Sequence, residues 1–327
     1  MMTSYEIVRR AIEFDGPERI ARSLPEPWGS DFLGAGVGRS ADFEPPQPGQ
    51  DEWGSVWETV DASMGQVKSH PLADWAALDD YQFPDLLNDR RWDDARAKIA
   101  ANDGKYVLGS QPSPFFERMH HLRGLERLLG DLHLERERCE QLADRLLDVL
   151  IGCVHKWADI GAHGIITTDD WGVQDRLLIS PALWREFFKP RYARYFAAAR
   201  ERGLHFFLHS CGYIVDILGD LIECGLSVVH MDQQENMGME RLGREFGGRL
   251  CFWCPVDIQQ TMIHGSADDV ARYAKRLVWT LGNFNGGFIA SWYGSPAAVA
   301  HTPEKIEAMS RAFVEYGVYP LAPPDAP

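Results

Sequence analysis

The sequence predicts an α/β protein built as a single (β/α)8 TIM barrel, with an N-terminal helix and a proline-rich loop extension. Three observations predict it. Short apolar runs, GIIT, FFLH, SVVH, CFWC and GFIA, recur along one continuous stretch, each followed by a segment with helical spacing. That is the pattern of βα units around a buried parallel sheet. At least six such units are visible with no linker dividing them, and 327 residues suit one barrel. No Gly-x-Gly-x-x-Gly follows a strand: the nearest string, GAGVGRS at 34–40, sits in a proline-rich stretch with no helix after it. A dinucleotide-binding sheet is therefore not expected. Residues 1–327 read as one domain, with 1–60 an extension packed on the barrel.

From Ser4 to Phe14, the positions Tyr5, Ile7, Val8, Ala11 and Ile12 follow helical spacing behind Ser4 as N-cap candidate. Residues 24–54 carry Pro25, Pro27, Pro45, Pro46, Pro48 and six glycines, which is loop or short-hairpin composition. Trp28, Phe32, Phe43, Trp53 and Trp57 would hold that loop to the body, either as a surface insertion or as a cover over substrate. The alternation then becomes regular: helix 89–103, strand 106–109, helices 122–130 and 135–159, strand 164–168, helix 181–202, strand 205–209, helix 213–223. Strand 227–230, helix 238–246, strand 250–253, helix 266–281, strand 287–290 and helix 303–316 complete it.

Forty-eight acidic residues against 33 basic ones give a net charge of −15. An acidic chain without a basic block has nothing to offer a nucleic acid backbone or an anionic membrane surface. Six cysteines at 139, 153, 211, 224, 251 and 254 are too few and too scattered for a disulfide framework, which suits a reducing compartment. The charged N-terminus lacks a signal-peptide core and no stretch approaches the roughly 18 apolar residues of a membrane span, so a cytoplasmic protein is expected.

In a barrel the active site lies at the carboxyl ends of the strands. The residues that follow the apolar runs are polar one after another: Gln111, Glu117 and Arg118; Thr168, Asp169, Asp170 and Gln174; His209, Ser210, Cys211 and Gly212; His230, Asp232 and Gln233; Asp257 and Gln259; Trp292 and Tyr293. His209 and Cys211 are i and i+2 of an extended segment, so imidazole and thiol turn to one side, as two ligands of a metal must. Nitrogen with thiolate favours zinc. In Cys251-Phe-Trp-Cys254 the spacing i, i+3 lets only one thiol face the mouth, and Cys254, last in the run, is the better candidate. Asp169 and Asp170 follow GIITT; adjacent carboxylates repel, which suits a general acid or a cation site, while capping a following turn is the plainer role. His120, His121, His163, His205 and His264 have no such company and read as structural. Cys139, Cys153 and Cys224 fall on helices and read as packing residues.

The stretches WADIGAHGIITTDDWGVQDRLLISPALWREFFKPRYARYFAAARERGLHFFLHSCGYIVDILGDLIECG, LGREFGGRLCFWCPVDIQQTM and TPEKIEAM resemble the uroporphyrinogen decarboxylase superfamily, which includes cobalamin-dependent, zinc-using methyltransferases. The likeness runs from about Asp51 to Tyr316 and implies one (β/α)8 barrel with its cleft at the carboxyl end. Two departures matter. The arginine-rich Met-Arg-Gln-Ala-Gly-Arg segment of the true decarboxylases is replaced by ARSLPEPWGSDFLGAG, so uroporphyrinogen decarboxylation is not expected. His209 and Cys211 match the zinc pair of the methyltransferases, but their second, downstream Cys falls in ASWYGS at Trp292 or Tyr293; Tyr293, Cys254 or a carboxylate such as Asp170 is left to replace it.

The resemblance implies a methyltransferase or demethylase moving a methyl group between a small donor, an aromatic O-methyl compound among the options, or a methylcorrinoid carrier, and an acceptor. Zinc at His209, Cys211 and Cys254 is expected. Asp169, Asp170, Asp257 and Tyr293 are the expected catalytic residues, and Glu117, Arg118, Trp171, Gln174, Gln233 and Trp292 the expected substrate-binding residues. No corrinoid-binding His motif lies within the chain, so methylcobalamin would sit on a separate corrinoid protein. A homodimer is compatible with the reading. The rival activities are decarboxylation or another lyase reaction on a small carboxylic acid, or ligand binding without catalysis.

Overall fold

The computed structural model describes residues 2–59 and 65–324, so the ends of the expected domain and residues 60–64 lie outside the described residues. Eight parallel strands form a nearly closed barrel in the spatial order β1-β10-β9-β8-β7-β6-β5-β2. They are β1 (Ala21–Arg22), β2 (Phe32–Gly36), β5 (Tyr106–Ser110), β6 (Gly164–Thr168), β7 (His205–His209), β8 (Val228–His230), β9 (Cys251–Cys254) and β10 (Phe288–Ala290). A separate antiparallel hairpin pairs β3 (Val56–Glu58) with β4 (Gln66–Ser69).

The helices follow in chain order: α1 (Ser4–Glu13), α2 (Asp93–Ala100), α3 (Phe116–Arg123), α4 (Leu125–Leu134), α5 (Arg136–Asp159), α6 (Pro181–Phe187), α7 (Lys189–Glu201) and α8 (Val215–Cys224). After them come α9 (Met239–Phe246), α10 (Thr261–His264), α11 (Ala267–Gly282) and α12 (Pro303–Tyr316). Among the described residues no helix is long and apolar enough to cross a membrane.

Strand alternation divides the core in two. Phe32, Tyr106, Leu108, Phe207, Val228, Cys251, Trp253 and Ile289 fill the barrel interior, and α1 closes its amino end with Ile7, Val8, Ala11 and Ile12. Val107, Ile165, Phe206, Leu208, Val229, Phe252, Cys254 and Phe288 face the other way, into the larger layer between sheet and helices. A (β/α)8 barrel requires this two-sided burial, which is why its strands read as unbroken apolar runs.

Four expectations about elements are corrected. The α1 cap is Thr3, whose hydroxyl and the Glu6 carboxylate form a reciprocal capping box, rather than Ser4. Residues 1–60 do more than pack on the barrel, because they supply β1 and β2 of its wall. The seam between these strands is stitched by Asp31, which accepts from the Arg22 amide at 2.9 Å and from both terminal nitrogens of Arg19. The helix expected at 122–130 starts at Phe116 and breaks at Gly124 into α3 and α4, and the helix expected at 181–202 breaks at Phe188 into α6 and α7.

Candidate metal centre at the barrel mouth

The last inward position of β7 is His209, and β8 pairs in register so that His230 stands directly beside it. Their Nδ1 atoms are 2.9 Å apart, a hydrogen-bond separation. One ring must donate, and a His209 Nδ1–H leaves His209 Nε2 as a free lone pair aimed into the mouth. Cys211 Sγ lies 3.3 Å from that Nε2, and Asp170 Oδ1 lies 3.8 Å from it. The donor atoms of Asp170, His209 and Cys211 all fall within 4.8 Å of one another.

Backbone geometry fixes this cluster. Asp170 Oδ1 accepts from the Cys211 amide at 2.8 Å, and Gln233 Oε1 accepts from the Gly212 amide at 2.7 Å. Gly212 adopts φ +76°, and a Cβ there would meet the Gly172 carbonyl oxygen at 2.3 Å. Only glycine permits the two loops to touch in this way, so the fourth residue of His-Ser-Cys-Gly is a packing requirement of the site.

Burial, and then the nearby His230, keeps His209 below the usual histidine range. Burial alone pushes His230 down to about 4. Both rings are therefore neutral near pH 7, as ligation and tautomer selection require. Burial, then Asp170 and Asp232, raises the Cys211 thiol well above its ordinary value. A divalent cation is the natural way to reverse that, because it stabilises the thiolate and both carboxylates together. The imidazole, thiol and carboxylate set fits zinc.

The other expected residues divide by which way they face. Tyr293 is half-buried at the end of β10; burial, then the charges of Asp232, Cys211 and Asp170, raises its phenol pKa, which sets it among those groups. Gln233 belongs to the site through Gly212. Glu117 accepts from the Thr168 hydroxyl at 2.9 Å on the rim. Gln174 is exposed and accepts from the Asn236 amide. Trp292 is half-buried against the outer core.

Several residues are corrected. Asp169 is fully buried in the opposite direction from Asp170, accepting from Tyr192 OH at 2.7 Å and the Glu117 amide at 3.0 Å. Burial, then Glu117, raises its pKa well above the carboxylate range. Trp171 is fully buried too, stacked on Phe116 with ring centres 3.9 Å apart. Asp257 caps the α10 turn, accepting from the amides of Gln259, Gln260 and Thr261. Arg118 is not among the corrected residues: it bonds Ser113 and Asp51 beneath Trp53 and lines a cleft beside the N-terminal loop. Cys254 falls on the outward parity of β9, with the helix layer, and takes no part in the donor cluster; Trp253 is the residue that turns inward, its ring 4.7 Å from His230. His121 and His120, read as structural, join Glu117 in a second group of donor atoms within 4.8 Å of one another.

Fold and site together define a class: a (β/α)8 barrel protein with nitrogen, sulfur and carboxylate donors converging at the carboxyl ends of its strands. The chain belongs to the uroporphyrinogen decarboxylase (URO-D) family, whose model matches residues 72–316. Among solved structures it is similar to a methyltransferase from Methanosarcina mazei, with a TM-score of 0.73 and 15% identity over 97% of this chain and 99% of that one. At that identity the likeness establishes the fold. A GH18 chitinase from Flavobacterium johnsoniae is similar at a TM-score of 0.40 and 8% identity over 68% of this chain and 79% of that one, which supports no inference. No curated protein sequence matches the chain.

Proposed function

We propose that the protein is a zinc-dependent methyltransferase or demethylase, with the metal held by His209, Cys211 and Asp170. It would move a methyl group between a small methylated compound, or a methylcorrinoid carried by a separate protein, and an acceptor. The observation that carries the reading is the convergence of three ligand atoms of suitable chemistry on one point of the mouth. Asp170 thus takes the place for which the sequence offers no downstream cysteine. When bound, zinc would lower the pKa of an acceptor thiol or stabilise a departing alkoxide.

The chain's own groups do the rest. His230 fixes the His209 tautomer, with Asp232 Oδ1 3.8 Å from its other nitrogen. The neutral Tyr293 phenol can donate a hydrogen bond to the heteroatom that carries the methyl group. A cleft of about 710 Å³ is lined by Phe43, Trp53, Trp57 and Arg91 of the N-terminal region together with Pro112, which follows β5, and Arg118 of α3. Its aromatic walls suit a small aromatic ether.

Elemental analysis of the wild type beside Cys211→Ser tests the reading. Zinc in the wild type and one zinc fewer per chain in the variant are expected; equal zinc in both, or none in either, sinks it. The family's name favours a second reading, a lyase acting on a small carboxylic acid without metal. Incubation with uroporphyrinogen is expected to give no coproporphyrinogen at a rate near the ~1 per second of a working enzyme.

A further inference from the structure

We infer that the mouth holds a second divalent-cation site, formed by Glu117, His120 and His121 of α3, distinct from the one at His209. The spacing i, i+3, i+4 sets the three side chains on one helical face. Their donor atoms lie within 4.8 Å of one another. Two features of the group call for a cation. The His121 Nδ1 atom is buried without a hydrogen-bond partner among the described residues, which costs free energy unless something occupies its lone pair or takes its proton. Among the described residues, the Glu117 carboxylate has only the Thr168 hydroxyl, at 2.9 Å, as a side-chain donor. Among them, neither it nor the Asp170 carboxylate forms an ion pair with lysine or arginine. Arg118, next in sequence, is committed to Asp51 and Ser113.

The helix that carries the donors is held in place. Asp169 accepts from the Glu117 amide, and the His121 carbonyl accepts from Ser55 at 3.1 Å and pairs with His70 Nδ1 at 2.8 Å. Burial is the main reason that both imidazoles are neutral near pH 7, with His120 at about 4 and His121 at about 3. The donor set contains no sulfur. A two-histidine, one-carboxylate group accepts zinc, manganese, iron or cobalt, whereas the Cys211 group selects for thiophilic ions. Asp170 acts electrostatically on Glu117 and His120 as well as on His209 and Cys211, so the two sites share one negative neighbour. A pair of cations so arranged would bind a carboxylate or phenolate substituent of the substrate as well as its reacting heteroatom.

Cobalt(II) tests this with the sites kept apart. Chelator-stripped protein is titrated with cobalt alone, counting ions per chain and following the thiolate-to-cobalt charge-transfer absorption. The wild type is expected to bind two, one of them with the thiolate band. Cys211→Ser should lose the band and keep one cobalt; the double variant His120→Ala with His121→Ala should keep the band and lose one. If the double variant does not fold, as judged by circular dichroism, Glu117→Gln replaces it, with at least about tenfold weaker binding of the bandless ion expected. One cobalt with the thiolate band in the wild type overturns the second site, as does undiminished bandless binding after either α3 change. One cobalt without the band supports it and overturns the His209 site instead.

Discussion

Asp170 and Asp169 are neighbours in sequence, yet they occupy different regions. Asp170 stands in the mouth, 3.8 Å from His209 Nε2 and hydrogen-bonded to the Cys211 amide. Asp169 is fully buried on the other side of the wall, where it joins Tyr192 to the start of α3. Cys211 and Cys254 differ in the same way, one in the mouth and one in the helix layer. Residue type does not separate these pairs. The parity of each position along its strand does, because successive side chains of a strand point to opposite faces. The inner region gathers groups whose chemistry is left available, and the outer region spends the same groups on holding elements together.

The sharpest way to break this contrast is Cys211→Ser. Removing a ligand should cost more than the 10- to 100-fold seen when a supporting residue is lost, so methyl transfer should fall by at least about a hundredfold, with zinc, while the urea midpoint of the chelated protein stays unchanged. Asp169→Ala should do the reverse. It leaves Tyr192 OH and the Glu117 amide without their acceptor in a buried site, at about 2–4 kcal/mol, with zinc retained. Denaturation curves and metal content measured on both variants test the pair together; zinc lost from Asp169→Ala without loss of stability would merge the two regions.

Asp169→Asn sharpens the point through pH. The folded state raises the Asp169 pKa, so the folded chain holds this proton where the unfolded chain, titrating near about 4, has released it. Stability from this group is complete below about 4 and is lost as pH rises toward the folded value. Asparagine cannot ionise, so the variant's stability should decline less with rising pH than the wild type's. Urea midpoints across that window measure it, and parallel curves would show that Asp169 carries no such penalty.

How much of this was legible follows from the same parity. The strands β6 to β8 read clearly because each is an apolar run ending in a polar residue, β9 because it is an apolar run stopped by Pro255, and i, i+2 spacing was enough to join His209 to Cys211. The strands β1 and β2 were not legible. Ala21–Arg22 is two residues long and FLGAG carries two glycines amid prolines, so both owe their form to pairing with β10 and β5. At Asp169 and Asp170 the limit was the strand end itself, since an error of one residue there exchanges inside and outside. His230 was visible at a strand end, but its contact with His209 comes from the β7–β8 register. Expecting a helix to start at 122 hid the face that groups Glu117, His120 and His121.

His230→Phe tests whether support within the inner region matters as much as ligation. The ring stays, but His209 Nδ1 loses its partner and its tautomer is no longer held. Zinc affinity should fall about 10- to 100-fold, measured by competition with a chromophoric chelator, and His230→Gln should recover part of it through its amide. Unchanged affinity in His230→Phe would mean that something else orients His209.

The smallest effect is expected at Cys254, and it decides whether β9 is correctly phased. The Cys254 side chain is fully buried, in the layer between sheet and helices. Burial, then Asp232, raises its thiol pKa far above the ordinary value, so it behaves as a small apolar group. Cys254→Ala removes one buried sulfur and leaves a methyl in its place. The cost should be about 1 kcal/mol, at the low end for shortening a core side chain, with zinc content and methyl transfer unchanged. Because Trp253 alternates with Cys254, Trp253→Ala provides the control from the inward face: it removes the ring beside His230 and Phe32 and should disturb the mouth. Zinc lost from Cys254→Ala but kept in Trp253→Ala would require β9 to be turned by one residue, and Cys254 would then enter the donor set.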